Sequence, residues 1–105
     1  MNSFNCIGRI GKEPETRYTE SGTVICSFSL AISDGKDKEG KDKTLWLDVK
    51  AFNKTAELIA KHFKKGSQIG ISGKLEQESW EKEGQKRSKI VVIANNISFI
   101  GKKED

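Results

Sequence analysis

Histidine, proline and cysteine are scarce in this chain, and each shortage excludes a line of chemistry. One histidine, His62, and two cysteines, Cys6 and Cys26, stand among 105 residues. Neither cysteine belongs to a Cys-x-x-Cys pair, so no His/Cys cluster has the spacing of a metal site. Both fall on the apolar phase of an expected strand and read as small buried hydrophobes. A reducing cytoplasm disfavours a disulfide between them. No strand–Gly–helix phosphate motif occurs, and acid pairs such as Glu76 and Glu78 have no histidine or nucleophile beside them. The chain reads as a non-enzyme without cofactor or metal.

Long apolar runs are also missing. The longest, Ile90 to Ala94, is far below the ~20 residues of a membrane helix. The start, Met1-Asn2-Ser3-Phe4-Asn5, lacks the basic-then-apolar pattern of a signal peptide. The expectation is a soluble cytoplasmic protein, an organellar matrix being the other setting considered. With 34% hydrophobic and 32% charged residues, one domain spanning 1–105 with a modest core is what the length allows, and self-association would help it.

What is present is period-2 alternation. Cys26, Phe28, Leu30 and Ile32 alternate with Ser27, Ser29 and Ala31; Leu45, Leu47, Val49 and Ala51 alternate with Trp46, Asp48, Lys50 and Phe52. Ile69, Ile71, Gly73 and Leu75 form a third such phase. Phe4 to Ile10 makes a first strand, Ser88 to Ala94 a late one, and Asn96 to Ile100 a short final one. Gly8 and Gly11 read as bulge or bend residues. Between strands three and four, Ala56, Ile59, Ala60 and Phe63 recur at helical spacing, with Asn53 as N-cap and Gly66 as the stop. This order matches an all-β, five-stranded OB-fold barrel with one short helix between strands 3 and 4. A β-sandwich, the runner-up, would spread ~100 residues over seven strands with no helix.

The net charge of +4 permits a polyanionic partner without establishing one. Lys36, Lys38, Lys41 and Lys43 are cancelled by Asp34, Asp37, Glu39 and Asp42, whereas Lys54, Lys61, Lys64 and Lys65 face Glu57 alone. The inward phase of the Thr44–Phe52 strand already supplies the core, so Trp46, Lys50 and Phe52 fall on the opposite face, and Trp80 repeats the pattern near a charged hairpin. Aromatics interleaved with cations away from the core fit stacked bases, each worth ~1–3 kcal/mol. Taken singly, each ring could equally cover a subunit interface.

The segments Asn5 to Tyr18, Phe28 to Ala31, Trp46 to Glu57, Lys64 to Gln68 and Gly73 to Trp80 resemble bacterial-type single-stranded DNA-binding proteins (SSB). The combination of Gly8-x-x-Gly11-x-x-Pro14-Glu15-x-Arg17-Tyr18 with the Lys64-Lys65-Gly66-Ser67 turn carries the resemblance. It implies a homotetramer, with a dimer as the alternative. It also implies sequence-independent binding and protection of single-stranded DNA in replication, recombination and repair, alongside replication and repair proteins as partners. The family's stacking residues would be Trp46, Phe52 and Trp80, and its phosphate contacts Arg17, Lys54, Lys64 and Lys65. Lys50 and Lys74 join the candidate face from the strand pattern, and Tyr18 is assigned to the structural part of the motif.

The chain departs from the pattern at four places. The loop from Ser33 to Lys43 lacks a tryptophan that many members carry, and Glu76 and Glu78 replace basic residues. Asp48, between Trp46 and Lys50, is expected to orient Lys50 or a hydroxyl. The residues after about 100 are expected to form a flexible extension without the acidic recruiting tail, which fits either a truncated chain or a short paralogue. The alternative function is a primosome-type OB accessory protein or SSB paralogue acting mainly through protein–protein association. An RNA-binding role is the third.

Overall fold

Alternating apolar residues can bury one face of a strand only if the sheet closes or is covered. In the computed structural model, which describes residues 1–100, the sheet closes. The elements are β1 (Phe4–Ile10), β2 (Glu15–Tyr18), β3 (Val24–Lys36), β4 (Asp42–Phe52), α1 (Asn53–His62), β5 (Gln68–Lys82) and β6 (Gln85–Phe99). Their order is β1-β5-β6-β4-β3-β2, and an additional β1–β3 pairing joins Arg9 to Ala31 and Ile10 to Leu30. That pairing completes a five-stranded barrel with β2 as a flap on β3. The β4–β6 contact is parallel, through Val49–Val92 and Ala51–Ala94, and the others are antiparallel. This is the expected OB architecture, the helix lying between the third and fourth barrel strands.

Cys26, Phe28, Leu30, Val49, Ala51, Ile69, Ile71, Val92 and Ala94 pack with Ala56, Ile59 and Phe63 of the helix segment in one core. Cys26 is fully buried and Cys6 half-buried; neither forms a disulfide, and burial pushes both thiols up, partly offset at Cys26 by the Thr16 hydroxyl. Leu45, Leu75 and Ala60, expected in the core, are exposed. Leu45 lies where the β3–β4 hairpin extends past the barrel as a two-stranded arm, Leu75 at the last rung before the β5–β6 arm leaves β4, and Ala60 faces away from the sheet.

β6 reads in the sequence as two strands and is one. Ser72 pairs with Asn96 and Gly73 with Ala94, so Asn95 is an extra residue in the ladder. The bulge shifts the inward phase by one, from Val92 and Ala94 to Ile97 and Phe99. Phe99 then stacks on Phe63, with ring centroids 5.0 Å apart. Thr55 of the helix donates to the Asn95 carbonyl at 3.2 Å. Gly8 is not a bulge: its ladder with β5 is unbroken, and a β-carbon on it would lie 2.6 Å from the Ala31 carbonyl, at the barrel seam; Gly11 follows the end of β1, where the chain turns.

The helix entry also differs from expectation. Asn53 is not the N-cap; Phe52 holds that position, with no side-chain cap. Asn53 takes a left-handed φ of 53°, and its Oδ1 accepts from the Val24 N–H at 3.3 Å, tying the helix start to β3. Replacing Asn53 by alanine, which tolerates that φ poorly and loses the hydrogen bond, is expected to cost about 1–2 kcal/mol. Replacement by glycine should cost less, since only the hydrogen bond goes. Urea midpoints of the two variants check this ranking.

Candidate nucleic-acid interface

Residues paired across neighbouring strands share a face. The outward row of β4 is Trp46, Asp48, Lys50 and Phe52, and these stand opposite Ala31, Ser29, Ser27 and Ile25 of β3. Trp46 stands opposite the small Ala31 and is 60% exposed; Phe52, opposite Ile25 at the end of β4, is 39% exposed. Beyond β3, Arg17 pairs with Ile25, so Arg17, Ile25 and Phe52 form a row over three strands. The Trp46 ring lies over the turn after β1, where a β-carbon on Gly11 would sit 2.4 Å from Cζ3. That contact braces the ring without burying it.

The other side of the face comes from the β5–β6 arm. Trp80, 43% exposed, pairs with Arg87; Glu78 pairs with Lys89, and Lys74 with Ile93. The arm turns through Glu83 and Gly84, both with positive φ (53° and 79°). This is the primed geometry that suits the twist of a two-stranded arm. A shallow groove crosses β4 between Trp46 and Phe52, and Lys12, Glu13, Asp48, Lys50 and Lys89 contribute to it.

Three cations of this face, Lys50, Lys89 and Lys74, are engaged. Lys50 is ion-paired with Glu78, and the two side chains are only 22% and 26% exposed. Asp48, expected to orient Lys50 or a hydroxyl, instead meets Lys89 at 3.3 Å, and Lys74 approaches Glu76 at 3.9 Å. The β3–β4 loop is self-neutralised as its composition suggests, by Lys36–Asp42 at 2.7 Å and Lys43–Asp34 at 3.7 Å.

Trp46, Lys50, Phe52, Trp80, Lys74 and Arg17 therefore share one face. Lys54 follows Phe52 at the helix start. Lys64 and Lys65 sit at the rim: the Lys65 N–H donates to Glu13 at 3.0 Å, and Glu13 lines the groove. Tyr18, assigned a structural role, is 74% exposed at the end of β2. Lys89 and Arg87 were absent from the sequence expectation. Lys89 is two residues from Val91 in an unbroken apolar run, so alternation could not assign its face. The extension after about residue 100 lies outside the described residues.

Over residues 1–100 the sequence matches the model of the single-strand binding protein family. The chain belongs to that family. It is 41% identical over its whole length to single-stranded DNA-binding protein 1 of Synechocystis, covering 88% of that protein. It is 38% identical to the single-stranded DNA-binding protein of Aquifex aeolicus, matching 97% of this chain and 71% of the relative. Among solved structures, a Plasmodium falciparum SSB complex with ssDNA superposes with a TM-score of 0.84 at 26% identity, covering 96% of each chain. Among the described residues no helix is long and apolar enough to cross a membrane.

Proposed function

We propose that this SSB-family chain binds single-stranded DNA without sequence preference, laying bases on Trp46, Phe52 and Trp80 while Arg17, Lys54, Lys64 and Lys65 meet phosphates. One observation carries the assignment to this face: three large rings lie exposed on one side of the barrel, on the same outward rows as Lys50 and Arg17. Exposed aromatics of that size are costly in water, and stacking on them accepts any base. The relatives are named for single-stranded DNA binding, and the Plasmodium structure is a complex with it. Roles in replication, recombination and repair follow from keeping strands unpaired and protected. No catalytic step is assigned to this face.

Addition of oligo-dT is expected to quench the fluorescence of Trp46 and Trp80. Four phosphate contacts should give a slope of log affinity against log salt of roughly −3, at about 0.7 per contact for single strands. Absence of quenching at low salt with micromolar protein would remove the proposal.

Self-association is part of the same reading, with a homotetramer preferred over a dimer and a cytoplasmic, nucleoid-associated setting. Its support is the edge of β1, which pairs with β3 only at Arg9 and Ile10 while Ile7 is 53% exposed. An unprotected strand edge beside an apolar side chain favours another copy. A solution mass equal to one chain would exclude it.

A further inference from the structure

Resting on the reading of this face as the DNA groove, we propose that Glu78 is an affinity-limiting residue that competes with phosphate for Lys50. Lys50 is the cation nearest the middle of the aromatic row, and its ammonium is taken by the Glu78 carboxylate across β6. Both side chains are mostly covered, so the pair is less screened than one in open water. The neighbouring cation is held in the same way: Lys89, opposite Glu78 in the β5–β6 ladder, turns to Asp48.

A phosphate arriving at Lys50 must replace a carboxylate already there and then tolerate it as a like-charged neighbour. The exchange of one anion for another yields little net attraction, whereas an open lysine would neutralise a phosphate and release its counterion. The centre of the groove thus contributes stacking with little backbone grip. Phosphate binding is left to Arg17, Lys54, Lys64 and Lys65 around the rim. Such a face holds DNA by its edges and rings, and the strand can slide or leave without breaking central ion pairs.

The test is a two-by-two set: wild type, E78Q, K50Q and the E78Q/K50Q double variant. Each is titrated with oligo-dT by tryptophan quenching at several salt concentrations. Freeing Lys50 in E78Q is expected to tighten binding about three- to tenfold at low salt and to steepen the salt slope by about 0.7, one added phosphate contact. K50Q alone should bind more weakly than wild type, because it leaves the Glu78 carboxylate without its partner beside the phosphates. The double variant should lose the E78Q gain. D48N, which releases Lys89 in place of Lys50, should shift binding in the same direction.

An E78Q variant with unchanged or weaker affinity and an unchanged slope overturns the proposal. A double variant keeping the full gain overturns it too, since the gain would then come from removing a carboxylate that repels phosphate rather than from freeing Lys50. Failure of the wild type to quench removes the groove reading itself, and this inference with it; quenching with an unresponsive E78Q removes only the inference.

Discussion

Gly73→Ala is expected to unfold the protein at markedly lower temperature, with a loss of about 3 kcal/mol or more. A β-carbon at Gly73 would lie 1.8 Å from the Ile93 carbonyl oxygen and 2.9 Å from its carbon. Those are backbone atoms of the adjoining strand, held by the β5–β6 ladder on one side and by the parallel β4 contact at Lys50–Ile93 on the other. No side-chain rotation relieves the clash, so the strands must part where β6 bulges at Asn95. Gly70→Ala is the control. Its added carbon meets only the side chains of Ser98 and Ile100, at 3.2 and 3.3 Å, and they can give way. In a domain of this size, 3 kcal/mol corresponds to a fall in Tm of roughly 12–24 °C. Circular dichroism melts of both variants check the contrast, and a Gly73→Ala melt matching that of Gly70→Ala would rule out the close crossing.

Much of this barrel was legible because a half-buried strand writes its inward face into every second residue. The Cys26–Ile32 and Leu45–Phe52 patterns led directly to β3 and β4, and with them to the exposed face bearing Trp46 and Phe52. Alternation does not report how far a strand runs beyond the barrel. Leu45 keeps the inward phase but sits on an arm beyond the barrel, and Leu75 sits at the barrel edge where the β5–β6 arm departs, so both are exposed. Nor does it survive a bulge: the shift at Asn95 made one strand look like two. Asn53 shows a different limit, since a residue suited to cap a helix is equally suited to a left-handed turn, and the position of Val24 decided between them. The charges on the groove were the least legible. Trp46, Lys50 and Asp48 share a strand, but the partners that engage Lys50 and Asp48 lie 28 and 41 residues away. Only the fold brings Glu78 and Lys89 to them.

Trp46→Ala is expected to weaken single-stranded DNA binding by about 1–3 kcal/mol, roughly 5- to 150-fold, with little effect on stability. The ring is 60% exposed, so its removal opens no cavity in the core. The ring lies close against the Gly11 turn, which braces it against the sheet. A ring held in place before DNA arrives loses less freedom on stacking than a mobile one. Trp80 lacks that bracing. It stands on a two-stranded arm beyond the barrel, beside the Lys50–Glu78 pair. Trp80→Ala should therefore cost less than Trp46→Ala, and Phe52→Ala should fall between them, since Phe52 lies at the end of β4 where the helix begins. Titrations with oligo-dT at one fixed salt concentration measure all three, each variant retaining at least one tryptophan as reporter. Equal affinity in Trp46→Ala and wild type, with the melting temperature unchanged, would move the DNA path off β4. If affinity held but the solution mass fell, Trp46 would belong to a contact between subunits.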